Sequence, residues 1–347
     1  MTRESNFKGQ PARLFPFYKD NETERRLVSM FLRLCELIPD VAKIVAERAD
    51  VSTAKSKLKK IKVDIEPTFD GTDDKPDALI QIASKYILVE AKIGDNKIDG
   101  AQIESYRNIA KTSKFHVILT ISNELTSDPN DNPSKIKWRT DSTVKLRHVS
   151  WSHIRTEIHK ILKKDAEKSE TISYFILQDF LNFLSNPNAS GVKGFTQMNE
   201  DWPKLCKSSS KDKLNQNIYE KCIEDWFQEE RELCLILMQS FEYEFYDLDV
   251  TIDKKRRQTK KDRLQEFSER LKNNSEIISN LKIPDASSKM TIIVNTKENT
   301  IAVSMDVTIS EPKTIAGQIG KLKSTYQNLS DSARSILDNT KIRASSS

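Results

Sequence analysis

From residue 20 to 49, in "DNETERRLVSMFLRLCELIPDVAKIVAERA", apolar residues recur every three to four positions and predict amphipathic helix, broken at Pro39. Asn21 and Glu24 have capping-box spacing at its start. The pattern then changes to strand-like runs: "SKLKKIKVDIEPTF", and "DALIQI" with "YILVEAKI" as the two arms of a hairpin. "GAQIESYRNIAKT" returns to helical spacing, "FHVILTIS" and "VKLRHVSW" read as strands, and "SHIRTEIHKILKK" and "TISYFILQDFLNFLS" as helices. This order suits an α/β (α+β) domain with a central mixed sheet flanked by helices. Pro, Gly, Asn and Ser gather in "NPNASGVKGF" (186–195), which separates a first domain at 1–186 from a second at 195–347. The second reads as mostly helical. Its long helices are "NQNIYEKCIEDWFQEERELCLILMQSFEYEF" and "KKDRLQEFSERLKNNSEIISNL", followed by a hairpin around Glu298-Asn299 and a last helix, "IAGQIGKLKSTYQNL".

The 347 residues are 37% hydrophobic, enough for a core in each domain. A net charge of +5 fits a polyanionic partner without requiring one. Cys35, Cys206, Cys222 and Cys234 form no C-x-x-C pair and no zinc-like spacing with the histidines, so a reducing, cytoplasmic setting is expected. The longest apolar run, "LCLILM", is too short to cross a bilayer, and no membrane partner is expected. No G-x-G-x-x-G follows the first strand, and "AGQIGKL" does not satisfy a P-loop.

The chemistry concentrates in "KPDALIQIASKYILVEAK". On an extended strand Tyr86, Leu88, Glu90 and Lys92 share one face, and Ile87, Val89, Ala91 and Ile93 the other. The second face is apolar and belongs in a core; the first begins apolar and ends charged, as where a buried strand surfaces at a cleft. A hairpin turn centred on Ala83-Ser84 sets Asp77 opposite Glu90, and one centred on Ser84-Lys85 sets it opposite Lys92. A three-residue loop would turn Asp77 to the wrong face. Opposed side chains lie about 4.5–5.5 Å apart at Cβ, so two carboxylates there repel each other unless a cation intervenes. Mg²⁺ accepts few carboxylates and keeps several waters, so Asp77, Glu90 and the Ala91 carbonyl would form a sparse, open site, with Lys92 beside an attacking water.

Pro76-Asp77, followed thirteen residues after the Asp by Glu90-Ala91-Lys92, resembles the signature of the PD-(D/E)xK nuclease superfamily. The resemblance covers about residues 20–165 and implies a restriction-endonuclease-like fold. It implies metal binding by Asp77 and Glu90 and service of the water by Lys92. Glu24, or Glu22, corresponds to a glutamate many members carry on the preceding helix, and Gln102 and Tyr106 match a Q-x-x-x-Y on the following one. The expected activity is Mg²⁺-dependent endonucleolytic hydrolysis of DNA rather than RNA, with Mn²⁺ able to substitute. Members serve restriction, phage defence or repair. A homodimer is expected because one metal site per chain must cut two strands, and the second domain would serve recognition, dimerisation or response to a partner protein or signal.

Each residue also has a plainer role open to it. Asp77 fits a Pro-Asp turn, and Glu90 with Lys92 fits an edge-strand charge pair. Glu24 fits the capping box, Gln102 follows a candidate N-cap at Asp99, and Tyr106 fits a core position. His148, His153 and His159 lack metal spacing and are assigned structural roles. Two basic runs, "KSKLKKIK" (55–62) and "DKKRRQTKKDR" (253–263), could bind phosphate backbones. The first, with Lys57, Lys59, Lys60 and Lys62, is preferred because it precedes the motif strand. The alternative function is a nuclease-like nucleic-acid-binding or assembly protein without catalysis.

Overall fold

The computed structural model describes residues 7–15, 22–51, 54–126, 136, 143–165, 171–195, 198–207, 214–240, 251–253, 258–282 and 289–305. The chain divides into two compact units, Met1–Phe195 and Thr196–Ser347.

The first unit is mixed α/β. Its strands are β1 (Phe7–Pro11), β2 (Ile61–Phe69), β3 (Ala78–Ile82), β4 (Lys85–Ala91), β5 (Val117–Ser122) and β6 (Lys145–Ser150). Its helices are α1 (Thr23–Leu37), α2 (Pro39–Arg48), α3 (Lys55–Leu58), α4 (Gly100–Ser113), α5 (Trp151–Lys164), α6 (Ile172–Leu184) and α7 (Pro187–Ser190). The six strands lie in sequence order in one sheet, antiparallel from β1 to β4 and parallel from β4 to β6. β1 was not anticipated. Gly9 makes its pairing with β2 possible, since a Cβ there would stand 2.7 Å from Cβ of Asp64.

The alternation read in the sequence divides the sheet into two buried faces. Ile80, Ile82, Ile87, Val89, Ala91, Val117, Leu119 and Ile121 join the larger core with residues of α1, α2, α5 and α6. Phe31 of α1 sits at its centre, edge-on to Trp151 at 5.7 Å and stacked on Phe180 at 6.4 Å. The other face presents Leu79, Leu88, Ile118 and Leu146 to Ile103, Tyr106, Ile109 and Ala110 of α4. Pro39 separates α1 from α2 as expected and starts α2, where its missing N–H costs nothing. The capping box fails at Glu24, whose carboxylate reaches β4 instead; Glu22 is the N-cap residue, without a side-chain capping bond, and Asn21 lies outside the described residues.

Residues 187–194, left between the two expected domains, fall in this unit, as does Phe195. The Gly94 N–H donates to the Gly191 carbonyl at 2.8 Å, and Asn123 donates to the carbonyls of Gly94 and Gly191 at 3.1 and 2.8 Å while accepting from the Lys193 N–H at 3.1 Å.

The second unit contains α8 (Trp202–Lys207), α9 (Gln216–Ser240), α10 (Lys260–Asn274) and a four-stranded antiparallel sheet in the order β10, β9, β8, β7. Its strands are β7 (Thr251–Ile252), β8 (Glu276–Lys282), β9 (Lys289–Asn295) and β10 (Thr300–Met305). β9 and β10 form the expected hairpin, with Asn299 at φ +55° in its turn. The helix expected to run through "SEIISNL" ends instead at Asn274. Ser275 adopts a left-handed conformation at φ 62°, and Ile277, Ser279 and Leu281 then bury alternate positions of β8. Along α9, Tyr219, Cys222, Ile223, Trp226, Phe227 and Glu230 make one buried stripe at helical spacing. Glu230 is fully enclosed and takes a two-point bond from Arg263 at 2.8 and 2.7 Å, with the guanidinium 4.4 Å from the centre of the Phe227 ring. The last helix read from the sequence, and residues 254–257 of the basic run at 253–263, lie outside the described residues.

Candidate active site

The turn at Ala83-Ser84 decides the geometry. The β3–β4 ladder runs from Ile82↔Lys85 to Ala78↔Val89, so a two-residue turn joins the strands and the next facing positions are Asp77 and Glu90. Ala83 accepts φ +55° to close it. On β2, Glu66 adopts φ +48° beside a register irregularity with β1 and donates its N–H to the Asp77 carbonyl at 2.9 Å. Asp77 is thus fixed at the end of β3 by a bulge on one neighbour and a tight hairpin with the other.

Four elements converge here. Asp77 Oδ2 accepts the Ala91 N–H at 2.7 Å, while its Oδ1 accepts no hydrogen bond from any described residue. Glu90, 1% exposed, accepts from Lys92 Nζ at 2.5 Å on Oε1 and from Tyr106 Oη at 2.9 Å on Oε2. Lys92 Nζ also reaches Glu24 Oε1 at 3.4 Å, and Glu24 Oε2 accepts the Ile93 N–H at 3.1 Å. Gln102 donates to Tyr106 Oη at 2.6 Å. Asp99 does cap α4 through the Ala101 N–H, which leaves Gln102 free to serve Tyr106. Tyr106 is both a core residue and a member of this network. The structure therefore brings together Glu24, Asp77, Glu90, Ala91, Lys92, Gln102 and Tyr106.

The electrostatics follow from three carboxylates around one ammonium in a half-dry setting. Burial, then the neighbouring Glu90 carboxylate, pushes the Asp77 carboxyl up to about 8. Burial also raises Glu90, against the pull of Lys92 and the Tyr106 hydroxyl. Burial would depress Lys92, but Glu90, Asp77 and Glu24 outweigh it and the ammonium is held above its usual range. Tyr106 is pushed far up by burial and by Glu90, so its hydroxyl keeps its proton and remains a donor.

Among the described residues no group of three or more His, Cys, Asp or Glu side chains forms a cage for an ion. The donors at hand are the Asp77 and Glu90 carboxylates and the Ala91 peptide, a set of hard oxygens suited to an ion that keeps most of its water. The carboxyls raised chiefly by burial and the unbonded Asp77 Oδ1 fit such a cation.

Sequence reasoning missed the supports of this site. Trp151 Nε1 donates to the Lys92 carbonyl at 3.0 Å, and the Lys92 N–H donates to the Ile121 carbonyl at 2.8 Å. Register also aligns Glu90 with Thr120 and Thr120 with His148, so a polar row crosses the sheet just beyond the apolar row Leu79, Leu88, Ile118 and Leu146. Thr120 Oγ1 lies 2.9 Å from His148 Nδ1, and His148 Nε2 lies 2.9 Å from the Glu124 carbonyl. Burial holds His148 below the usual histidine range, so it is neutral with Nε2 as its donor. His148 is structural, as expected. The only sequence signal was that Thr120 interrupts the apolar run of β5.

Lys57, Lys59, Lys60 and Lys62 lie elsewhere. Lys62 pairs with Gln81 near the hairpin turn, at the opposite end of β3 from Asp77, and Lys57, Lys59 and Lys60 precede it on α3 and the following turn. They precede the motif strand in sequence without approaching the acidic site. Comparison with family models, curated proteins and solved structures returned no match. No helix among the described residues is long and apolar enough to cross a membrane.

Proposed function

We propose that the first unit is a restriction-endonuclease-like, Mg²⁺-dependent phosphodiester hydrolase that cuts DNA, and that it works as a homodimer when both strands are cut. The observation that carries this reading is the meeting of Asp77, Glu90 and Lys92, with Glu24, at one rim of the sheet. Asp77, Glu90 and the Ala91 carbonyl would hold the ion. When bound, Mg²⁺ or Mn²⁺ supplies an acidified water and offsets charge on the phosphate. The chain's own groups do the rest. The Lys92 ammonium, held above its usual range, donates hydrogen bonds to the water or to a phosphate oxygen. Glu24 steadies that ammonium and the Ile93 N–H. Tyr106 fixes Glu90 Oε2, and Gln102 fixes Tyr106.

The test is cleavage of supercoiled plasmid, linear duplex, single-stranded DNA and RNA, with Mg²⁺, Mn²⁺ or EDTA. Wild type, Glu90→Ala and Lys92→Ala are compared. Metal-dependent cutting by wild type alone, with binding retained in Lys92→Ala, supports the assignment. Cutting by Lys92→Ala at near the wild-type rate would falsify it, and binding without cutting by any form would favour a non-catalytic nucleic-acid-binding scaffold.

A further inference from the structure

Charge in the first unit is polarised along the strands. The acids Glu24, Asp77 and Glu90 gather where β4 ends, whereas the opposite rim, where β4 and β5 begin, is basic. There Lys85 opens β4 beside the hairpin turn, and Lys62 sits on β2 across from Gln81. Lys59 and Lys60 lead into β2, Lys114 ends α4 in a left-handed conformation, and His116 follows, its carbonyl accepting the Lys145 N–H at 2.8 Å. Lys59, Lys60, Lys62, Lys85, Lys114 and His116 are all exposed. No carboxylate of a described residue forms an ion pair with any of these five lysines. Asp50, in the same region, is engaged by Lys145 at 2.6 Å and Arg147 at 3.8 Å. Burial and then the Lys85 ammonium hold His116 below its usual range, in keeping with uncompensated positive charge.

A site of three carboxylates repels a phosphodiester until a cation is present, so affinity for a nucleic acid has to come from another surface. We propose that this basic rim docks the phosphate backbone of duplex DNA, separately from the acidic site. Lys85 and Glu90 stand five residues apart on β4, about 17 Å at the rise of an extended strand. That span corresponds to about five base-pair steps, so bound DNA extends well past any phosphate at the acidic site. The proposal rests on the hydrolase reading for its nucleic-acid partner and stands on different residues.

The experiment measures binding of a labelled duplex of about 30 base pairs to the full chain in EDTA, across a salt series. Three proteins are compared with wild type. One is the rim variant Lys60→Glu/Lys62→Glu/Lys85→Glu. Another is the milder Lys60→Gln/Lys62→Gln/Lys85→Gln, which guards against misfolding. The third is Lys207→Glu/Lys282→Glu/Lys297→Glu, which makes the same change in net charge at exposed lysines of the second unit outside its basic run. The rim variant should lose about tenfold or more in affinity, and its slope of log K against log salt should flatten by about 2–3. The glutamine variant should fall between it and wild type, and the second-unit variant should stay within about twofold of wild type, because the proposed contact is made by the rim lysines. Equal loss in the rim and second-unit glutamate variants would mean that only overall charge matters and would overturn the proposal. So would an unchanged affinity in both rim variants. Because no cleavage is involved, a failed hydrolase reading leaves each of these outcomes intact.

Discussion

Replacing Asp77 with asparagine should stabilise the metal-free protein while removing its proposed activity. Asparagine keeps the shape and can still accept the Ala91 N–H through its side-chain oxygen. What it removes is a carboxyl whose ionisation the folded state resists, up to about 8, through burial and the adjacent Glu90. In the unfolded chain an aspartate ionises near 3.9. Below that pH both states hold the proton and wild type and variant differ little. Between about 4 and about 8 the native state keeps a proton that the unfolded state gives up, so wild-type stability falls as pH rises. At about 1.4 kcal/mol per pH unit, the ceiling on the gain in Asp77→Asn at pH 7 is on the order of 4 kcal/mol, reduced by whatever part of the strain passes to Glu90. The assay is urea unfolding in EDTA at several pH values across that window. A difference between variant and wild type that is flat with pH, or grows toward acid, would refute the reasoning. Adding Mg²⁺ should then raise wild-type stability and narrow the gap, because the ion binds the native carboxylates and not the unfolded chain.

Three other substitutions probe neighbouring features. Ala83→Gly relieves a left-handed alanine in the hairpin turn and should raise stability by about 0.5–1 kcal/mol in urea unfolding; a loss would mean that the turn is not strained. Gly191→Ala places a Cβ about 2.9 Å from Ile93 Cδ1 at φ +69°. It should cost about 1–3 kcal/mol in the same assay and lower cleavage along with it. Arg263→Ala strands the enclosed Glu230 carboxylate and should cost the second unit about 3–5 kcal/mol, read from that unit's thermal transition, whereas a cost below about 1 kcal/mol would show the pair to be dispensable.

The sequence was most legible where the information is local. Two short apolar arms with an even turn place Asp77 on the Glu90 face in either of two registers, and the structure selects the turn at Ala83-Ser84. Gln102 and Tyr106 were singled out by resemblance to a helical Q-x-x-x-Y, and the structure bonds them to each other; α9 was read only as a long helix, and its buried stripe appears in the structure. Non-local pairing was harder to see. Glu24 has good capping-box spacing, and only the packing of α1 on the sheet face shows that its carboxylate goes to Lys92 and the Ile93 N–H. Thr120 and His148 join the row of Glu90 through parallel ladders that no single strand announces. β8 was misread as helix because Ile277 and Leu281 are four residues apart, a spacing that fits one helical face as well as alternate strand positions. The left-handed Ser275 breaks that ambiguity, and nothing in the identity of a serine foretells it.

The bonds from Asn123 and Gly94 to Gly191 also bear on mechanics. The chain passes from the first unit to the second within a few residues of Gly191, and Gly94 is only two residues beyond Lys92. Tension applied along the chain beyond Lys193 would therefore load the Lys193–Asn123 and Gly191–Gly94 bonds, at the ends of β5 and just past β4. The load path ends beside the proposed catalytic lysine, and the first backbone to yield under force would be the one that aims it.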